Sequence, residues 1–141
     1  MKMTLDDLAL SLPNGFHDAE LEKLTIDYAK AEARLILDVW VAEDMNPRER
    51  EAYRLAEVTL FGLLFWVTDP PDARYPYQMA GSKRIDSGPM DTLTKNDLLK
   101  LLPVTADAFV NWIFVSDWNA FIYVAAQDTM LKWLGKRTVR A

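Results

Sequence analysis

The spacing of apolar and polar residues predicts most of the elements of this chain. From Val58 to Val67 it is almost wholly apolar, rich in β-branched and aromatic side chains, and closed by Pro70-Pro71. Such a run reads as a strand buried on both faces. Taken from Glu51 to Val67, at about 3.3 Å per residue, the strand would cross a small domain, so a bulge or kink is expected at Gly62. The other strands are expected to pair with it. Leu21 to Tyr28 alternates, with Leu24, Ile26 and Tyr28 on one face and Thr25 and Asp27 on the other. Arg34 to Ala42 turns Leu35, Leu37, Val39 and Val41 inward, with Arg34, Asp38 and Trp40 outward, and the short turn Ala29 to Ala33 makes the two a hairpin. A second hairpin is expected from Ala108–Val115 and Ala120–Ala126, joined by Ser116-Asp117-Trp118-Asn119. Gln127 to Leu134 alternates again, with Thr129, Leu131 and Trp133 on one face. Helix formers in that stretch compete, and strand is the expectation.

Helical signals are short. Thr4 can cap a helix with Asp6 and Asp7 in its first turn and Leu5, Leu8 and Leu12 on one side, stopped by Pro13. Thr94 offers a second cap, for a helix through Leu102 that Pro103 ends. Pro13-Asn14-Gly15 reads as a turn, and residues 44–50 as a linker. Residues 72–97 read as a long loop with one brief strand near Lys83 to Asp86. Gly135 closes the last strand and 136–141 reads as a frayed basic tail. Together these predict a single α+β domain over residues 1–141. It is mainly an antiparallel β-sheet of about six strands, curled or sandwich-like, with two short helices at its margins.

Composition narrows the chemistry. With 141 residues the chain can bury a real core without staples, and with no cysteine it excludes disulfides, thiolate chemistry and zinc-cysteine sites. One histidine excludes HExxH and multi-histidine metal sites, and none of the Gly-rich phosphate loops or a GxSxG elbow is present. No cofactor and no metal is expected. The net charge of −5 argues against a nucleic-acid surface. Residues 1–51 carry 12 acids against 6 bases, the remainder 9 against 10, so an electrostatic partner of the N-terminal part would be cationic. The alternative is ordinary solubility. No signal-peptide pattern or bilayer-length apolar run is present, so a cytoplasmic protein without a membrane partner is expected.

Three places are candidates for binding. His17-Asp18 follows the tight turn at the mouth of the first strand, where a side chain can be presented to a cleft. Neighbours on an extended chain point to opposite sides, so Asp18 is not expected to be the direct partner of His17. The structural alternative has His17 anchoring the turn. Asp117-Trp118-Asn119 has hot-spot composition if its tryptophan is exposed, and otherwise shapes a turn with Trp118 folded back on the sheet. Arg74-Tyr75-Pro76-Tyr77-Gln78 is an aromatic and cationic loop that can wall a groove, the alternative being mere crossing or oligomer packing. Asp27, Asp38 and Glu57 point outward from predicted strands and read as a solvated face.

The run Leu12-Pro13-Asn14-Gly15-Phe16-His17-Asp18-Ala19, followed by Ile26-Asp27-Tyr28 and Leu37-Asp38-Val39, resembles small uncharacterised bacterial proteins that are similar to immunity proteins of contact-dependent toxin systems. The resemblance covers about the first 40 residues. It implies a bacterial cytoplasmic α+β protein with a binding role, and it assigns no catalytic residue. The favoured expectation is a non-catalytic module that binds a protein partner or itself. The alternatives are a small hydrolase or isomerase using His17 with a carboxylate, and a structural homo-oligomer.

Overall fold

The computed structural model describes residues 2–43, 48, 50–75, 78–90 and 107–140. Helix α1, Leu5–Leu10, forms where its cap requires. The Thr4 hydroxyl accepts from the Asp7 amide at 3.0 Å, and the Asp7 carboxylate accepts from the Thr4 amide at 3.1 Å, a reciprocal capping box. Leu5 and Leu8 are buried, and the helix packs on strands that follow much later in the chain. Phe16, in the loop after it, is buried as well, and the Asn14 side-chain amide ties that loop to the Trp40 and Ala42 carbonyls.

Among the described residues nine strands follow: β1 Ala19–Asp27, β2 Glu32–Trp40, β3 Ala52–Phe61, β4 Phe65–Thr68, β5 Lys83–Pro89, β6 Phe109–Val115, β7 Ala120–Ala126, β8 Asp128–Trp133 and β9 Thr138–Val139. They form one antiparallel sheet of order β4-β7-β6-β5-β1-β2-β3-β8, with β9 beside β3. The core is a single cluster in which Leu37 of β2, Val58 and Leu60 of β3, Ile113 and Val115 of β6 and Val124 of β7 are buried together with α1.

The expected sheet of about six strands, curled or sandwich-like, with two short helices is corrected by these findings. Among the described residues eight strands lie in one path, whose end strands β4 and β8 do not pair with each other, β9 joins beside β3, and α1 is the one helix. The second expected helix, Thr94 to Leu102, lies outside the described residues.

The physical reasons lie in contacts between stretches distant in the chain. The long strand Glu51 to Val67 divides at Gly62, whose φ of +61° is a left-handed conformation that breaks the ladder. A Cβ there would stand 2.3 Å from Oε1 of Gln127, the residue at which the chain passes from β7 to β8. The corner is bridged by hydrogen bonds from Gln127 N to Phe61 O and from Leu64 N to Ala125 O, so β3 pairs β8 while β4 pairs β7. The segment read as a frayed tail instead supplies β9, with Val139 opposite Ala52 and Thr138 opposite Tyr53. The brief strand near Lys83 extends to Pro89 because Gly88 leaves room for the Trp112 ring lying across it on β6.

β8 is a strand, settled by six pairs to β3 from Ala56–Trp133 to Phe61–Asp128. On β1 the expected apolar face is only partly used. A bulge between Leu21 and Lys23 interrupts the register, and β5 pairs only Ala19 to Leu21, so Leu24 is left exposed and Tyr28 lies almost fully in solvent.

Candidate binding surface

Strand β5 positions the candidate site. Ile85 is buried, so its neighbours Arg84 and Asp86 both point outward, two residues apart on one face. The Arg84 end meets the tip of the β6–β7 hairpin. The Asp117 carboxylate accepts from the Arg84 amide at 2.7 Å, and the Ser116 hydroxyl donates to the Arg84 carbonyl. The same tip holds the loop after β4: the Asp72 amide donates to the Trp118 carbonyl, and the Asn119 side-chain amide donates to the Asp72 carboxylate at 3.3 Å. Arg74 pairs with Asp72 at 3.1 Å, and its hydrogen bonds hold the Asp72 carboxyl down at about 2. The aromatic loop and the hairpin tip, argued separately from sequence, are therefore one unit.

Within that unit Asp117 and Asn119 are exposed and Tyr75 is 46% exposed, whereas Trp118 is half-buried against the core. Trp118 folds back on the sheet, as the turn-forming alternative had it. Tyr77 lies outside the described residues.

Asp86, at the middle of β5, meets the loop before β1. His17 Nδ1 lies 3.1 Å from the Asp86 carboxylate and its Nε2 lies 3.5 Å from that of Asp18. The expectation that Asp18 would point away is corrected. Its φ of +57° takes it out of the extended conformation on which alternation depends and turns the carboxylate back towards the ring. The Trp40 ring of β2 stands 6.2 Å from His17. The indole is fixed in turn by a hydrogen bond from its Nε1 to the Arg50 carbonyl.

Beside this pair lies a group that the sequence did not reveal. Glu20 of β1 faces Asp38 of β2 in register, and both accept from Arg140, which follows β9. Arg140 donates to the two Glu20 oxygens at 2.9 Å each, and its guanidinium lies 3.7 Å from the centre of the Tyr53 ring. The Arg140 hydrogen bonds, against the opposing cost of burial, hold the Glu20 carboxyl below its ordinary range, and Glu20 and Asp38 raise the guanidinium further. Glu22 also lies close enough for Glu20, Glu22 and Asp38 to be considered as a metal cluster, but Arg140 already neutralises two of the three. Nothing in the sequence separation of 120 and 102 residues signals these contacts.

The three outward carboxylates weighed from sequence are not brought together. Asp38 belongs to the Arg140 group, Glu57 stands opposite Lys132 across β3 and β8, and Asp27 accepts from the Lys30 amide in the β1–β2 turn. A hollow of about 470 Å³ lies between α1 and β8, lined by Leu8, Leu12, Leu131, Trp133 and neighbours, without a titratable group. None of the candidate residues lines it.

The face on which these groups meet defines an antiparallel-sheet α+β chain with a polar and aromatic outer surface. No helix of the described residues is long and apolar enough to cross a membrane. Comparison with known proteins gives no family model, no curated protein and no solved structure that matches the chain.

Proposed function

We propose that this protein is a non-catalytic protein-binding module whose recognition surface is the outer face around β5. It presents His17, Asp18 and Asp86 at one end and Asp117, Asn119, Arg74 and Tyr75 at the other. The observation that carries this reading is the state of His17: each ring nitrogen faces a carboxylate, at 3.1 and 3.5 Å. A general base needs a nitrogen turned to its substrate. The Nδ1–Asp86 hydrogen bond fixes the loop before β1 against β5, a structural use of the imidazole that favours binding over the hydrolase or isomerase alternative.

The polar groups of both ends are also tied to main chain or to one another, so the surface is ordered before a partner arrives, which lowers the entropic cost of association. A role in covering and neutralising a partner, as the resemblance of Leu12 to Ala19 implies, belongs to this proposal, as does self-association. Light scattering of the purified chain tests self-association, and titration with an isolated partner tests a heteromeric complex. His17→Gln is expected to keep a measurable complex and show no turnover to lose. A turnover that disappears in that variant, with the fold unchanged, would overturn the proposal.

A further inference from the structure

The Arg140 contacts have the form of a recognition site that is already filled. Glu20 supplies two parallel acceptors to one guanidinium, Asp38 a third, and Tyr53 a ring beneath it. This is the arrangement that distinguishes arginine from lysine, because only a planar fork meets both oxygens and the ring at once. The occupant arrives on an extended segment: β9 adds to the margin of β3 at Ala52 and Tyr53, and the Arg140 amide donates to the Glu51 carbonyl. The strand that leads into Arg140 is short. β9 is two residues long, both exposed, against nine paired positions between β2 and β3.

We propose that the Glu20–Asp38–Tyr53 cradle recognises an arginine carried on an extended segment of a partner protein, with Arg140 as its resident competitor. This rests on the binding reading above and names the partner's chemistry. Strand addition supplies main-chain hydrogen bonds and the cradle supplies the side-chain specificity. Lifting β9 exposes both together. With Arg140 withdrawn, Glu20, Asp38 and the nearby Glu22 outnumber Arg84, which stands opposite Glu20 on β5, so the vacated face attracts a positive segment and repels an acidic one.

Two measurements on the full chain test this. In the unmodified protein, hydrogen exchange of the Arg140 amide is expected to be at least 100-fold faster than that of amides in the middle of β3. Equal protection would show that β9 does not lift and would overturn the proposal. In Arg140→Ala, the probe acetyl-Thr-Val-Arg-Ala-amide is expected to give saturable NMR shifts at Glu20 and Tyr53, at a concentration at least tenfold lower than in the unmodified chain. Citrulline in place of the probe's arginine should abolish them. Equal response in the two chains, no saturation, or indifference to citrulline would each overturn it. The peptide result does not depend on capturing a whole partner, so failure here is separate from failure of the binding reading.

Discussion

Single side chains decide which parts of the surface are free to bind. Trp118 has hot-spot chemistry in sequence, but the ring packs on the core while Asp117 and Asn119 stay outside. Trp118→Ala is therefore expected to lower stability by about 2 kcal/mol, less than the range for a fully buried tryptophan because the ring is only half covered. Chemical denaturation checks this, and an unchanged midpoint would return Trp118 to the exposed surface. Glu20 gives a pH-dependent counterpart. Its carboxyl is lowered in the folded chain from an ordinary value near 4.5, chiefly by Arg140, so the stabilisation is present above that value and is lost as pH falls through the folded one. Glu20→Gln is expected to cost about 1 kcal/mol at neutral pH, a modest figure because Arg140 is about one-third exposed and partly screened. The melting-temperature gap between the two chains should narrow steadily below about pH 4.5. A gap that widened on acidification would contradict the assignment.

Among elements, those with local causes were legible and those with distant causes were not. Helix α1 could be read from Thr4 and Asp7, and the two hairpins from alternation on either side of turn residues, because both signals act within a few positions. Strand β9 could not, since Thr138 and Val139 carry no pattern and their pairing depends on Ala52 and Tyr53. β5 was half read: Ser87-Gly88-Pro89 has the composition of a turn, and only the Trp112 ring resting on Gly88 explains why a strand continues there. At Gly62 the bend is legible but not the division into two strands, where the left-handed backbone lies against the side chain of Gln127, 65 residues away. Gly62→Ala should cost about 1–3 kcal/mol, combining left-handed strain with the clash at Gln127. Adding Gln127→Ala should recover only part of the loss, because the Gln127 Cβ itself would lie 2.9 Å from the new methyl group. Urea unfolding of the single and double variants checks this, and full recovery would show that the backbone conformation costs nothing.

For the molecule as a whole, the candidate residues were found in sequence as scattered dipeptides and are joined in space by β5, through Arg84 at the hairpin tip and Asp86 at His17. Their union was not legible because β5 pairs β1 on one side and β6 on the other, bringing residues 17–20 and 116–119 to one strand across some hundred positions of chain. The Arg140 group was missed for the same reason. The central claim is that this joined face binds a protein. Arg84 is the side chain to change, being exposed and placed between the two ends, with the hydrogen bonds to the hairpin tip made by its backbone; because it stands opposite Glu20 on β1, it is truncated and not reversed in charge. The decisive measurement is the affinity of the complex, with a partner or with a second copy, for the unmodified chain and for Arg84→Ala, alongside both melting temperatures. A loss of about 2 kcal/mol, roughly thirtyfold, with nearly unchanged melting is the predicted result. Equal affinity of the two chains would contradict the account and move recognition away from β5.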